Sequence, residues 1–165
     1  RRSRAQLETL TGSITTMYDH IKALFATQLP FVTHNFMAID EIGPGTASAR
    51  MPEREELKNH IGTQHAAALF GLGETASGAA MASAIGARLL EARVVAAGAS
   101  IQYKKVAKGP IGAKAQVGRP VDEVTGEYDE AGKTVLDVLV SLRNAEDVEV
   151  ASMTVSWHVS KRRSG

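Results

Sequence analysis

The sequence predicts an α+β domain in which one long central helix is wrapped by a curved antiparallel sheet of five to six strands, with an extra amphipathic helix at the N-terminus. Three observations predict it. Ala66 to Leu90 is a run whose bulk is Ala, Gly, Ser and Thr and which is apolar almost all round, which marks a helix enclosed on most sides. The segments around it alternate apolar and polar residues, the period of strands with one buried face. The last strand segments are joined by turn residues without the crossover helices that a parallel sheet requires.

The elements follow in chain order. Leu7, Leu10, Ile14, Met17, Tyr18, Ile21, Leu24 and Phe25 recur at steps of three and four, so residues 1–30 are assigned to an amphipathic helix that ends before Pro30 and packs on the domain. Residues 31–165 form that single domain. From Thr33 to Met51 the pattern is strand-like. Ala47, Ala49 and Met51 alternate with Thr46, Ser48 and Arg50, and Gly43-Pro44-Gly45 supplies a hairpin turn. A polar loop, Pro52 to Thr63, leads into the long helix. Its Gly71, Gly73, Gly78 and Gly86 each cost up to about 1 kcal/mol relative to Ala, so another element must approach the helix closely there. Four strands follow, through Ile101 and Tyr103, Ala113 to Val117, Leu136 to Leu142, and Ala151 to Val159, with Trp157 on the inward face of the last. Gly109-Pro110, Glu130-Ala131-Gly132-Lys133 and Asn144-Ala145-Glu146-Asp147 are read as their turns.

Composition narrows the function. A chain of 165 residues suits one domain. Its 19 Lys plus Arg balance 18 Asp plus Glu to a formal net charge of +1, which gives no basis for a nucleic-acid partner. With no cysteine, disulfides, thiolate metal sites and a Cys nucleophile are excluded, and a reducing compartment fits. Arg1-Arg2-Ser3-Arg4 runs into an amphipathic stretch rather than an apolar core with a cleavage site, so the expected location is the cytoplasm. Ala66 to Leu90 has the length of a membrane span, but its small residues and internal acid argue against a membrane partner.

That internal acid, Glu74, is the most informative residue. An ionised carboxylate among Ala, Gly and Leu needs donors or a shifted pKa, and Thr75 and Ser77 stand beside it as candidate partners. The second feature is the loop and helix start from Asn59 to Ala67, which includes His60, Gly62 and His65. The free N–H groups and positive dipole end of a helix there, Ala66 N–H above all, suit a developing oxyanion. The plainer alternatives are a Glu on a solvent-facing stripe and a helix capped by Thr63 with two incidental histidines. Ala66 and Glu74 are eight residues apart, about 12 Å along one helix at 1.5 Å per residue. They can serve one carbonyl only if one of them comes from a second copy, with two such helices antiparallel about a two-fold axis.

The segment from Asn59 to Glu74, N-x5-H-A-A-x2-F-x-L-x-E, resembles the signature of PaaI-like hotdog-fold thioesterases, in which an Asn, a His-Gly-Gly and an acid occur at these spacings. The likeness in element order spans roughly Phe31 to Ser160. It implies a central helix in an antiparallel sheet, homodimers or dimers of dimers, and hydrolysis of acyl-CoA without metal or bound cofactor. By the same resemblance Glu74 would activate water or attack the acyl carbon, Ala66 N–H would hold the oxyanion, Asn59 would orient the water or carbonyl, and His65 would sit beside the thioester. His60, Gly62, Ala67, Phe70 and Ser77 are the expected substrate contacts. His65-Ala66-Ala67 departs from His-Gly-Gly by two methyl groups beside the oxyanion donor. Three other readings stand beside this one: a hotdog protein that binds acyl groups or acyl-CoA without hydrolysis, an enoyl-CoA hydratase or dehydratase using His60 and Glu74, and a zinc site built from His60, His65 and Glu74. Lys104-Lys105, Lys108 and Lys161-Arg162-Arg163 are basic clusters suited to CoA phosphates, although solvation alone explains charges at strand ends.

Overall fold

The computed structural model describes residues 4–162, with side chains from Thr16 onward; the side chains of Leu7, Leu10 and Ile14 of the expected apolar stripe, and Arg163 of the C-terminal basic cluster, lie outside what is described. The order is α1 (Arg4–Gln28), α2 (Pro30–His34), β1 (Ala38–Gly43), β2 (Thr46–Met51), α3 (Ala66–Ile85), β3 (Ala92–Tyr103), β4 (Ile111–Val117), α4 (Val121–Ala131), β5 (Lys133–Asn144) and β6 (Glu149–Lys161). The strands form one six-stranded sheet in the order β1-β2-β4-β5-β6-β3, antiparallel at every pairing.

The all-apolar run forms α3, which lies against β2, β4 and β5, with Leu72, Ala76, Ala79, Ala80 and Ile85 fully buried. The α-helix stops at Ile85. Gly86 takes φ +63°, in the left-handed region that glycine tolerates without cost, and residues Gly86–Leu90 continue as a 3-10 turn. Three helix glycines mark close approach. A Cβ on Gly71 would lie 2.7 Å from the Phe31 ring of α2, one on Gly73 2.6 Å from Met153 Sδ of β6, and one on Gly78 3.4 Å from Phe25 of α1. The α1 and α2 helices therefore cover α3 on the side away from the sheet, with Ile21 and Phe25 in the common core and Lys22 donating to the Asp40 carbonyl of β1.

Three elements differ from the sequence reading. The segment between β4 and β5, expected to be a turn near Glu130, holds the helix α4, which buries Val124 and Tyr128 and ends on Gly132 at φ +69°. Because β4 and β5 are antiparallel neighbours, α4 sits on the end of the sheet and is not a crossover. The strand-like pattern expected from Thr33 begins only at Ala38, since Pro30–His34 forms α2 with Pro at its first turn. The strand expected around Ile101 starts nine residues earlier, at Ala92, and is 12 residues long.

The Tyr128 hydroxyl is buried with no hydrogen-bond partner among the described residues. A buried donor without a partner costs about 1–3 kcal/mol of desolvation. Tyr128→Phe is therefore expected to leave the unfolding free energy unchanged or raise it by about 1 kcal/mol in urea denaturation; a loss of more than about 1 kcal/mol would reveal a partner for the phenol.

Candidate active site

Four residues of α3 escape full burial: Ala66, Ala67, Phe70 and Glu74. Their spacing puts them on one stripe of the helix. Every position after Glu74 is buried through Ile85, so the stripe begins at the free helix start and ends on the acid. Glu74 is half-buried. Its carboxylate has no hydrogen bond or ion pair among the described residues, and burial pushes its pKa above the ordinary carboxylate range. The neighbours read as candidate partners point elsewhere. Thr75 Oγ1 faces Met37 Sδ at 3.7 Å. Ser77 is fully buried; its hydroxyl donates to the main-chain oxygen of Glu74 at 2.7 Å and accepts from Trp157 Nε1 at 3.1 Å. Ser77 thus braces the helix against β6 rather than facing the stripe.

The edge strand β3 meets the start of the stripe at Tyr103, whose hydroxyl reaches the Ala66 carbonyl. Its pairing with β6 places Val94, Ala96, Ala99, Ile101 and Tyr103 opposite Val159, Trp157, Val155, Met153 and Ala151, all five of which are buried under the helix side of the sheet. The β3 residues on that same face are exposed or only half-buried.

The loop before α3 is held by its own side chains. Asn59 Oδ1 accepts from the main-chain N–H groups of Ile61 and Thr63 at 3.1 and 3.0 Å, and Nδ2 donates to Thr63 Oγ1 at 2.9 Å. Both ends of the Asn59 amide are thus engaged within the loop, where they brace it. Gln64 is buried and its Nε2 donates to the Pro52 and Gly109 carbonyls at 3.0 and 2.9 Å, tying this loop to the β3–β4 loop. His60, Ile61 and Gly62 form the exposed tip, with Gly62 at φ +75°. The cap of α3 is His65 rather than Thr63: its Nδ1 accepts from Ala67 N–H at 3.0 Å. Ala66 N–H has no hydrogen-bond partner among the described residues, as befits the first turn, where no helical carbonyl reaches it.

Tyr103 was missed as a site residue. Its hydroxyl donates to the Ala66 carbonyl at 3.0 Å, joining the end of β3 to the start of α3. The signal was present in the alternation of Ile101 and Tyr103, the last inward positions of a strand that runs toward the helix start. Among the described residues no group of three His, Asp or Glu side chains is placed to hold a metal ion. Of the basic clusters, Lys104 pairs with Glu149 and Arg162 Nε donates to the Ala92 carbonyl at 3.1 Å, while Lys105 and Lys108 are exposed. No described helix is long and apolar enough to cross a membrane.

A long central helix packed against a curved six-stranded antiparallel sheet is the architecture of hotdog-fold proteins. The chain belongs to the family described as a domain of unknown function, DUF4442, whose model matches residues 18–159. No curated protein matches the sequence. Among solved structures it is similar to a Pseudomonas aeruginosa protein of unknown function described as a probable thioesterase, with TM-score 0.76 and 22% identity over 87% of this chain and 95% of that one. A thioesterase family protein from Silicibacter pomeroyi aligns with TM-score 0.72 and 19% identity over 88% and 99% of the two chains. A Haemophilus influenzae thioesterase gives 0.70 and 16% over 87% and 90%.

Burial raises the Glu74 pKa in the folded state, so the folded chain holds its proton to higher pH than the unfolded chain does. Stability then falls as pH rises from the unfolded to the folded pKa, and the penalty is complete above the latter. Glu74→Gln is expected to melt above the parent at about pH 7.5, with the difference vanishing near about pH 4. A Glu74→Gln variant that melts lower at both would show that the carboxylate has a stabilising partner.

Proposed function

We propose that the chain is an acyl-CoA thioesterase whose site forms between two copies. The observation that carries this reading is the single uncovered stripe of α3, which starts at a free N–H on Ala66 and ends on the unpaired Glu74. An oxyanion donor and a carboxylate with a raised pKa are what addition of water to a thioester requires. About 12 Å of helix separates the two within one chain, so a second, antiparallel α3 brings the complementary group.

The edge strand supports the same assembly. From Val94 to Ile101 it carries no charged residue and no proline, the devices that keep an exposed edge from pairing. Two β3 strands related by a two-fold axis would extend the sheet across both copies and set each stripe opposite the other. The acyl group would then lie along Phe70, Ala99 and Ile101, with Lys105 and Lys108 at the rim for the phosphates of CoA.

In the reaction Glu74 of one copy takes a proton from water as the oxygen attacks the thioester carbon. The negative charge that develops on the carbonyl oxygen meets Ala66 N–H of the other copy, beside His65. When the intermediate collapses the C–S bond breaks, and the leaving thiolate receives the proton held on Glu74. Direct attack by the Glu74 carboxylate, followed by hydrolysis of the anhydride, uses the same groups. Asn59 and Gln64 act by holding the loop that presents the helix start.

A panel of short, long and aromatic acyl-CoAs in a thiol-release assay tests this. At least one substrate is expected to turn over, and Glu74→Gln is expected to lower kcat by about 10²–10⁴-fold while keeping the oligomeric state. Unchanged hydrolysis by that variant rules the mechanism out, and acyl-CoA binding with no thiol released by the parent chain indicates a binding protein. Ala99→Glu places a charge on an exposed position of β3 that a lone chain tolerates and a joined sheet does not. It is expected to sediment as a monomer without turnover; an active dimer would place the interface elsewhere.

A further inference from the structure

The structure joins three groups at the start of α3 into one hydrogen-bonded chain. Tyr103 Oη–H donates to the Ala66 carbonyl at 3.0 Å. The same peptide unit, through Ala67 N–H, donates to His65 Nδ1 at 3.0 Å. A ring nitrogen that accepts a hydrogen bond carries the lone pair, so the proton of the neutral imidazole resides on Nε2. We infer that Tyr103 is a positioning residue: it orients the Ala66–Ala67 peptide, and through it His65, so that the imidazole presents Nε2–H as a second donor beside Ala66 N–H. This role rests on the thioesterase reading for its catalytic consequence but not for its geometry.

Three observations carry it. The phenol lies on an edge-strand residue that is 49% exposed, where water would satisfy it equally well, yet it is directed at main chain 37 residues earlier. The carbonyl it reaches belongs to the Ala66–Ala67 peptide unit, the one next along the chain from the unit that carries Ala66 N–H, the proposed oxyanion donor. Hydrogen bonds to the two ends of one peptide unit also reinforce each other, because a donor on the carbonyl makes the N–H of that unit a stronger donor in turn. Partial burial raises the Tyr103 pKa and keeps the hydroxyl in its donating form. Since Tyr103 closes β3, the strand on which the second copy is placed, joining of the two sheets would also lock the donor pair of the site.

The test is Tyr103→Phe, which keeps the ring and removes one hydroxyl. In protein labelled with ¹⁵N-histidine, the His65 resonances, assigned by their loss in His65→Asn, are expected to report the Nε2–H tautomer in the parent chain and a mixture of tautomers in Tyr103→Phe. With the acyl-CoA found to turn over, kcat is expected to fall about tenfold while KM stays within about twofold and the oligomer is unchanged. An Nδ1–H tautomer in the parent, or identical His65 resonances and kcat in the variant, overturns the inference. If the parent hydrolyses no thioester and the tautomer still shifts, the thioesterase reading falls and the positioning of His65 by Tyr103 stands.

Discussion

The α3 helix has no polar face to turn toward water, and the rest of the molecule is arranged around that constraint. Its residues beyond Glu74 are buried to the last, which requires cover on all sides along that length. The sheet supplies one side through β2, β4 and β5. The α1 and α2 helices supply the other, drawn close by Gly71 and Gly78, where a side chain would collide with or crowd Phe31 and Phe25. What this cover leaves open is one narrow stripe over the first turns, and the one acid of the helix stands at its inner end.

The position of that acid has chemical consequences. An unpartnered carboxylate at the edge of an apolar enclosure favours its neutral form, which makes it a readier proton acceptor when it does ionise than a glutamate in open water. Hydrogen bonds that could have quenched it are directed elsewhere: Ser77 is held by Trp157 and the helix main chain, and Thr75 by the Met37 side of the core. The helix start is prepared in the opposite sense, with a loop braced by Asn59 and Gln64 and a cap, His65, that itself carries donor chemistry. One helix thus carries an unpaired carboxylate at one point and its open N-terminal end at another, about 12 Å apart along the axis; in the proposed mechanism a second copy brings the two together.

Much of this was legible in the sequence, because both periods are strong where one face of an element is buried. The alternation of β4, β5 and β6 matches their burial residue by residue, and the unbroken apolar run of α3 foretold its enclosure. The glycines of α3 pointed to close neighbours before the neighbours were known. The parts that were misread had weaker periods for physical reasons. The stretch Val94-Val95-Ala96-Ala97 of β3 is apolar without alternating: Val94 is half-buried, while Val95, Ala96 and Ala97 are exposed on both faces in the single chain, so burial imposes no period of two. In α4 the buried residues Val124 and Tyr128 are four apart, but Thr125 and Gly126 between them have weak helix propensity and hid a helix whose N-terminal Pro120 and C-terminal Gly132 were both in view. The hydrogen bonds of Asn59 and Tyr103 depend on where side chains point across loops, which no periodicity encodes.

The most direct test of a site shared between copies mixes two variants that are each inactive. Glu74→Gln removes the base, and Ala66→Pro removes only the N–H at the first helical position, where proline is well tolerated. In an equal mixture refolded together, half of the dimers would be mixed, and each would hold one site with both groups intact. Recovery of about a quarter of the parent turnover is the expected result for antiparallel helices across a two-fold axis. If the mixture stays as inactive as either variant alone while mixed dimers demonstrably form, Glu74 and Ala66 do not act on one thioester from opposite chains.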